Sequence, residues 1–501
     1  MRALLNLIFI TLFLQITHAQ QFPIDGMYQY ITPPATPAMP DYGQSVVDNS
    51  VPTPIRITRV TESHDYIDND GVPQVWYPTH EYSKTQVWNS DQTKYKISSW
   101  KVYDASTYQE IHSLSSMYSS YWSNTNPDLI WSFRENGDIK KHIVSTNDTQ
   151  IVATLNKPGG GSYESVKLGP GEGNIDNNDH YVALVGKNGV DLDIIIFDLQ
   201  TLTVATTENL PGAWGNGDVY APDYIDWVSI SQSGDYVIIM WNPYTTTETD
   251  PFNGHYGVEV YDRANLQFQH RIVSEERHGD LGYAQDGSEV LVQFWVGSST
   301  DGNLYMHKLD GSGSTVVSTV GDFGVGHISC RNINRPGWAY VTNSLNAQHA
   351  QIVAVKLDNS GIVEHFGHHF SSSNSYEQAP MAVASPNGDL VCFKSDFGTA
   401  PGNGYVTYDF FASLANPLTI NKEDIVNTMI YPNPVKDFIQ INSKNTIKNV
   451  LIYNEIGQVV SSIENNNLNA TNIDMKDLKK GVYFIRIITE KETITRKIIK
   501  Y

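Results

Sequence analysis

The sequence predicts an all-β protein, and three observations support this fold class. Short apolar runs alternate with polar turns, long stretches with helical periodicity are missing, and Tyr, Trp, Thr, Ser, Gly and Asn are abundant. Many short strands joined by polar turns produce such a composition. A chain of 501 residues has room for roughly two to four domains. We therefore expect several β-rich units along the chain.

The N-terminus has the features of an export signal. Arg2 precedes an apolar run from Ala3 to Leu14, and Ala19 supplies a small residue at the expected cleavage position. We predict a signal peptide over residues 1–19, followed by an N-terminal extension over 20–49. A retained anchor is the alternative, although the run is short for a bilayer. No later stretch reaches eighteen apolar residues, so no transmembrane segment is expected.

The middle of the chain, residues 50–415, contains an internal repeat. A polar turn followed by an apolar strand returns about every fifty residues, within reach of the four-stranded blades of propellers. The turns lie at 89–93, 176–179, 231–235, 285–288, 334–337 and 385–389, with a weaker unit around 134–137. These units predict a seven-bladed β-propeller. A pair of β-sandwiches or a right-handed β-helix is the alternative.

The pattern changes over residues 416–501. Tyr431-Pro432-Asn433-Pro434 leads into short alternating strands, including Gly481-Val482-Tyr483, and the chain ends on a basic segment, 497–500. Short strands with regular turns predict a small β-sandwich.

Both regions resemble known families. The tail closely resembles the type A C-terminal sorting domain of the type IX secretion system of Bacteroidetes, on the motifs just quoted. This resemblance implies the secretion machinery as a partner, passage across the outer membrane, and a secreted or outer-surface location. It also implies removal of the tail. The repeat resembles the WD40-like and TolB-like propellers of bacterial exported proteins.

Charge and cysteine content exclude several classes of protein. The net charge of −21 argues against a nucleic-acid binder, which would present a basic face. An acidic polysaccharide remains a possible partner if a local basic patch overcomes the global field. The two cysteines, Cys330 and Cys392, are too few for a disulfide framework.

The residues before each repeat turn are candidate site residues, because the first strand of each blade lines the channel of a propeller. His278 with Asp280, and His327 with Cys330, occupy equivalent positions in adjacent blades. These four residues are ligand types that suit a structural zinc ion. A packed histidine and a buried cysteine are the alternative. The wider set is His80, Glu172, Asp226, Tyr376 and Glu377.

A second candidate group is cationic and phenolic. Tyr256 lies beside His255, and Arg271 and Arg277 flank the crossing to the next blade, with Arg331 and Arg335 further on. A polyuronate lyase needs a cation to neutralise the substrate carboxylate and a Tyr or His to move the C5 proton. Ordinary surface ion pairs are the alternative.

The His278-Gly279-Asp280 and Cys330-Arg331-Asn332 segments, within a propeller of this size, resemble those of the propeller-type ulvan lyases. Oligogalacturonate lyases have a related architecture. The resemblance implies His80 or His180 as the family histidine, Tyr256 as base or acid, Arg271 or Arg277 as neutraliser, and a zinc held by His and Cys. We therefore expect a secreted polysaccharide lyase that cleaves an acidic, uronate-containing glycan by β-elimination. A non-catalytic glycan-binding propeller at the cell surface is the alternative.

Two further loops contain carboxylates or histidines. Asp65, Asp68, Asn69 and Asp70 form an acidic loop with ligands for Ca²⁺, but a solvated turn is the favoured interpretation. The histidines in the polar loop at 365–369 are expected at the surface.

Overall fold

The structure is a computed structural model. The signal peptide and Arg277 lie outside the residues that it describes. Those residues are 24–28, 31–68, 70–98, 101–114, 117, 119–133, 136–169, 172–217, 222–241, 252–274, 278–294, 303–318, 326–343, 350–372, 376–399, 406–415, 428–431, 435–454, 458–490 and 493–501.

The chain divides into two compact units, 1–416 and 417–501. Over the described residues, the first unit forms seven antiparallel sheets that are the blades of a propeller, together with one separate hairpin. The predicted seven-bladed propeller is therefore confirmed.

Strands of the first four blades follow one another along the chain. Blade 1 has three strands, extended inward by a bridge between Trp88 and Tyr95. The strands are β5 (Lys94–Ile97), β6 (Lys101–Asp104) and β7 (Glu110–Ser113) in blade 1; β8 (Ser120–Trp122), β9 (Leu129–Phe133), β10 (Asp138–Ile143) and β11 (Asp148–Thr154) in blade 2; β12 (Ser165–Leu168), β13 (Tyr181–Asn188), β14 (Asp191–Asp198) and β15 (Thr203–Leu210) in blade 3; β16 (Ile225–Ile230), β17 (Tyr236–Trp241), β18 (Gly257–Asp262) and β19 (Phe268–Val273) in blade 4.

The remaining blades follow the same pattern, and blade 7 also recruits strands from the N-terminus. The strands are β20 (Asp280–Tyr283), β21 (Glu289–Phe294), β22 (Leu304–Lys308) and β23 (Ser314–Ser318) in blade 5; β24 (Gly326–Ser329), β25 (Trp338–Asn343), β26 (Gln351–Lys356) and β27 (Val363–His368) in blade 6; β28 (Val383–Ala384), β29 (Val391–Ser395), β30 (Tyr408–Leu414), β2 (Ile55–Arg59) and β1 (Ser45–Asp48) in blade 7; and β3 (His64–Ile67) and β4 (Pro73–Trp76) in the hairpin.

Apolar clusters between neighbouring blades hold the ring together. Residues 182–185 of β13 are fully buried, because blades cover both faces of this strand. One cluster joins Val185 and Ile194 of blade 3 to Ile225 and Trp241 of blade 4. The continuous apolar runs that followed each turn in the sequence are therefore the inner strands of the blades.

N-terminal strands close the ring. Ile57 of β2 pairs with Ala412 of β30 on one side and with Val46 of β1 on the other. The segment before β1 also adds to blade 6, where Met27 bridges Ile362. Chain ends that share a blade prevent the ring from opening at its seam.

Two buried histidines fasten this N-terminal segment. Nδ1 of His365 lies 2.9 Å from Asp25 Oδ2, and Nδ1 of His368 lies 2.8 Å from Asp48 Oδ2. His365 and His368 are 3% and 0% exposed. The expected surface position of these histidines is wrong, because each has a carboxylate partner more than 300 residues away in sequence.

The repeat predicts that the turn around 134–137 joins the first two strands of blade 2, but the structure places it one strand later. Residues 136 and 137 lie between β9 and β10, whereas the turn after the first strand of that blade covers 123–128. The weak sequence match therefore marked the right blade but its second turn.

The C-terminal unit is a β-rich domain with its own core. Its strands are β31 (Thr428–Tyr431), β32 (Phe438–Asn454), β33 (Val459–Asp474), β34 (Gly481–Thr489) and β35 (Thr493–Lys500). Strand β32 pairs with β31 near its start and with β34 near its end. In β34, buried Tyr483, Ile485 and Ile487 alternate with exposed Phe484 and Arg486. The alternation matches the sequence prediction for this region.

Within the described part of the chain, no helix is long and apolar enough to cross a membrane. Cys330 and Cys392 are both free and buried.

Candidate functional site

The loops that enter the first strands of the blades meet at one end of the channel, which we call the mouth. The segment 77–86, which leads from β4 into blade 1, reaches across this mouth to blades 3, 5 and 6. Lys84 Nζ lies 2.6 Å from Glu172 Oε2 in blade 3, and the Tyr82 hydroxyl lies 3.1 Å from His278 Nδ1 at the start of blade 5. Gln86 donates to the Arg331 carbonyl in blade 6. Side chains from widely separated parts of the sequence are thereby brought together.

His278 and His327 lie next to each other at the mouth, as the sequence predicted for adjacent blades. Their ring centroids are 4.7 Å apart. His278 has a positive φ of 50°, a left-handed conformation that is uncommon for residues other than glycine. It turns the chain directly before β20, where the ring can meet Tyr82.

His327 is the most unusual residue of the mouth. It is 3% exposed, yet neither ring nitrogen has a hydrogen-bond partner among the described residues. Burial, reinforced by the charges of His278, Lys394 and Lys84, holds the pKa of His327 well below its usual value. The ring is therefore neutral near pH 7, with a nitrogen lone pair that no described group occupies.

Two phenols contact the His327 ring. Tyr82 packs edge-on with ring centroids 5.4 Å apart, and Tyr376 packs edge-on at 5.8 Å. Burial raises the pKa of Tyr376, and a hydrogen bond from Tyr82 opposes that shift. Tyr376 is 57% exposed, so it forms the outer edge of the mouth.

Two lysines place positive charge at the mouth. Lys84 is 3% exposed and stacks over the Trp227 ring at 4.6 Å, in addition to its ion pair with Glu172. Lys394, at 7% exposure, extends from β29 of blade 7. Both lysines are buried enough for their charges to act through a medium of reduced dielectric constant.

The four residues predicted to bind zinc separate into two pairs. Asp280 accepts hydrogen bonds from the amides of Leu281 and Cys330 and forms an ion pair with Arg331 at 3.0 Å. The Cys330 side chain packs on Gly282, where an added Cβ would lie 3.0 Å from Sγ, and burial raises the pKa of the thiol. Asp280 and Cys330 therefore stabilise the junction of blades 5 and 6, and only His278 and His327 face each other at the mouth.

His80 lies close to the mouth but is enclosed between blades. Its Nδ1 lies 2.8 Å from Asp409 Oδ1 and its Nε2 lies 2.8 Å from the Met381 carbonyl oxygen. His80, Cys392 and Asp409 are the one set among the described residues whose metal-ligand atoms all lie within 4.8 Å of one another. Both ring nitrogens already have partners, so a metal ion would first have to displace the His80–Asp409 hydrogen bond.

The predicted group around Tyr256 forms on the outer part of blade 4. The Arg271 guanidinium stacks on the Tyr256 ring at 3.4 Å and lies 2.6 Å from Glu259, which is fully buried. Similarly, Arg335 binds Glu364 at 2.6 Å. Because the described arginines of this group each pair with a buried carboxylate, they do not combine into the basic patch that the sequence suggested.

Two other predicted positions lie apart from the mouth. His180 sits in the turn before β13, stacks on Tyr181 and lies 3.5 Å from Asp198. In the acidic loop, Asp68 Oδ1 accepts the amides of Asp70 and Val72, and its Oδ2 accepts from Gln74. Asp68 therefore acts as an Asx-type turn residue.

Four of the residues at the mouth, His278, His327, Glu172 and Tyr376, were sequence candidates, whereas Tyr82, Lys84 and Lys394 had no signal in the sequence. The first two precede blade 1 in a segment without a repeat pattern. Lys394 lies on a second strand, where no pattern distinguishes a residue that faces the mouth.

The first unit is thus a seven-bladed propeller whose mouth is lined by polar side chains from several blades. The second unit is identified by its match to a known family. Residues 429–501 match the family model of the secretion system C-terminal sorting domain. The tail is that domain, as predicted, and the protein is one that is secreted or displayed at the outer surface.

Comparison with solved structures supports the propeller. An oligogalacturonate lyase from Vibrio parahaemolyticus is 12% identical, with a TM-score of 0.50, and the match covers 75% of this chain and 97% of that one. An oligogalacturonate lyase in complex with manganese is also 12% identical, with a TM-score of 0.51 and the same coverage. At this identity the likeness shows the fold alone. No curated protein matches the chain in sequence.

Proposed function

We propose that the protein is a secreted polysaccharide lyase that cleaves an acidic, uronate-containing glycan by β-elimination at the mouth. The observation that carries this proposal is the neutral His327, whose nitrogens lack partners among the described residues although the ring is buried and contacts two phenols. A buried polar group without a partner carries a free-energy penalty. Action on a ligand is one reason for which a native structure retains such a penalty.

The proposed chemistry divides among three kinds of side chain. A base removes the proton from C5 of the uronate, the electron pair forms the C4–C5 double bond, and the C4–O bond breaks. The leaving oxygen then takes a proton from an acid. His327 is suited to act as the base, because it is neutral and its acceptor nitrogen has no partner among the described residues. Tyr82, hydrogen-bonded to His278, is suited to act as the acid.

Lys84 and Lys394 are the proposed neutralisers. A cation near the substrate carboxylate stabilises the negative charge that develops when the C5 proton leaves. Lys84 already pairs with Glu172, so part of its charge is offset in the free protein. The role predicted for Arg271 or Arg277 thus passes to lysines of the mouth in this proposal.

Only two of the four zinc ligands predicted from the sequence face the mouth. With Asp280 and Cys330 engaged at the blade junction, His278 and His327 supply two of the four ligands of a structural zinc site. When bound there, a divalent ion would supply positive charge for the carboxylate. It would also occupy a lone pair of a histidine at the mouth, so no step is routed through it. Metal analysis of the purified protein tests this part.

The fold of the two oligogalacturonate lyases supports the proposal, but it does so only through architecture. The test is incubation of the secreted protein with ulvan, polygalacturonate and other uronate glycans while the ultraviolet absorbance of the unsaturated uronate is recorded. A rise in absorbance supports the lyase. Retained binding without any rise across the panel would leave the non-catalytic glycan-binding propeller as the function.

A further inference from the structure

A second concave site lies on the outer rim of the propeller, between blades 4 and 5. It is an open groove with about 340 Å³ of empty space, part of which is open solvent. We call it the rim groove. None of its lining residues is acidic, although the chain carries a net charge of −21. Its polar lining comes from His270, Arg271, His307, Lys308 and Ser314.

His307 provides a buried polar group for a ligand in the rim groove. The residue is 3% exposed, its Nδ1 lies 2.6 Å from Ser314 Oγ, and its Nε2 has no partner among the described residues. Burial lowers the pKa of His307 to about 4. The ring is therefore neutral at pH 7, and Nε2 can donate a hydrogen bond when Ser314 donates to Nδ1. Because Nε2 is itself buried, a ligand oxygen would satisfy this nitrogen after a small movement of the His307 side chain toward the groove.

Two cations flank this position. The Nε and Nη2 groups of Arg271 are bonded to Tyr256, Gly254 and Glu259, whereas Nη1 is bonded to none of the described residues. Lys308 Nζ lies 2.8 Å from Asp286 in an exposed ion pair. Such pairs contribute little to stability, so the ammonium group can turn toward a ligand at small cost. Glu259 and Asp286 offset part of the charge, which favours a ligand group with a single negative charge.

The turn at 309–313 holds one wall of the rim groove in place. Gly311 has a φ of 76°, and an added Cβ would lie 2.9 Å from the His270 ring. His270 Nε2 donates to the Leu309 carbonyl at 2.9 Å. The close approach of this turn to His270 fixes the position of Lys308 and Ser314 relative to Arg271.

We propose that the rim groove binds an anionic group, a carboxylate or a sulfate ester, of an acidic glycan at a point separate from the mouth. The choice of a glycan as the carrier rests on the proposed function, whereas the anion chemistry rests on the groove alone. The site would hold a remote part of a polymer whose other sugars lie elsewhere on the propeller. It shares no residue with the mouth.

The test uses methyl sulfate, a singly charged sulfate ester, and free glucuronate as separate probes on the secreted protein, with binding measured by calorimetry. We expect saturable binding of at least one probe, with Kd on the order of 1 mM. The probe that binds identifies the source of the anion. The Lys308→Ala and His307→Phe variants should each weaken binding about tenfold.

Lys356→Ala is the matched control. Lys356 ends the third strand of blade 6 as Lys308 ends that of blade 5, and it also pairs with a nearby aspartate, Asp358, at 2.7 Å. This variant removes the same charge without touching the groove and should bind as the wild type does. Thermal unfolding of His307→Phe checks that the blade remains folded, and Lys308→Ala keeps the test valid if it does not.

Probe binding at the rim groove can be tested independently of glycan cleavage at the mouth. Binding of the probes that survives in a His327→Gln variant supports the rim groove even where no glycan is cleaved. No saturable binding of either probe, or equal weakening by Lys308→Ala and Lys356→Ala, would overturn the proposal. Binding that is lost only with changes at the mouth would overturn it as well.

Discussion

The Tyr82 hydroxyl lies 3.1 Å from Nδ1 of His278, although 196 residues separate the two along the chain. Tyr82 comes from the segment before blade 1 and His278 from the loop before blade 5, so the contact crosses the channel. It places a phenol, a hydrogen-bonded imidazole and the neutral His327 within one small volume. This relationship makes the mouth the place where chemistry is expected.

Replacement of Tyr82 by phenylalanine tests its role as the acid. The change removes one hydroxyl and keeps the ring that packs on His327. We expect kcat on a uronate glycan to fall by about 10²–10⁴-fold, with little change in thermal stability. Tyr181→Phe, in the second strand of blade 3, is the control and should retain full activity. Equal rates for the two variants would remove Tyr82 from the mechanism.

The pH dependence of cleavage tests His327. Because the pKa of His327 is held well below its usual value, the neutral base persists at pH values where an ordinary histidine would be protonated. We expect kcat/KM to stay high as the pH falls through about 6.5 and to decline only at lower pH. His327→Gln should abolish this base without loss of folding. An acid limb near pH 6.5 in the wild type would argue against His327 as the base.

Much of the fold could be predicted from the sequence because its determinants are local. The polar turns before apolar runs mark the first hairpin of six blades, and residues 136–137 fall in the remaining one. The Tyr431–Pro434 segment and the Gly481 strand likewise identify the sorting domain, whose family model covers 429–501. Local patterns of this kind can be recognised in a single sequence.

The composition of the site could be predicted only in part, because the ion-pair partners of its charged residues lie far away in the sequence. Arg271, Arg331 and Arg335 look like a free basic group in the sequence, but each forms an ion pair with a buried carboxylate in the structure. Conversely, Lys84 stands in a segment without any repeat, and only the fold carries it across the channel to Glu172. Equivalent positions in adjacent blades did predict the approach of His278 to His327.

The Lys84–Glu172 ion pair leads us to expect opposite effects on substrate use when its two partners are replaced. Glu172→Gln removes the carboxylate that competes with the substrate for Lys84, so KM for an acidic glycan should fall. Lys84→Met keeps an apolar stem over Trp227 and removes the charge, so kcat/KM should fall about tenfold or more. The exposed pair Lys101–Glu110, also at 2.6 Å, supplies the controls Lys101→Met and Glu110→Gln. Parallel changes in both pairs would point to general charge effects.

Deletion of the sorting domain tests the address function of the tail. Residues 417–501 form their own compact unit, so a chain ending at 416 should retain the propeller. We expect this truncated chain to accumulate inside the outer membrane, while the full chain reaches the surface or the medium. Cell fractionation with an antibody against the propeller measures the difference. Export of the truncated chain at the normal level would contradict the role of the tail.

The Asp48–His368 pair should contribute to stability in a pH-dependent way. Its atoms lie 2.8 Å apart, and hydrogen bonds from His368 and Ser50 overcome burial and lower the pKa of Asp48 from 3.8 to about 2. A carboxyl group with a lowered folded-state pKa stabilises the protein above its unfolded-state pKa, and this shift corresponds to about 2 kcal/mol. Asp48→Asn should therefore reduce the free energy of unfolding by about 2 kcal/mol near neutral pH. The difference from wild type should shrink as the pH falls from about 4 toward 2. Asp48 is protonated first in the unfolded wild type and finally in the native wild type, whereas the variant has no charge at this position in either state. Urea unfolding at several pH values measures it, with Asp65→Asn in the exposed hairpin as control. A difference that stays constant with pH would show that Asp48 acts through packing and not through its charge.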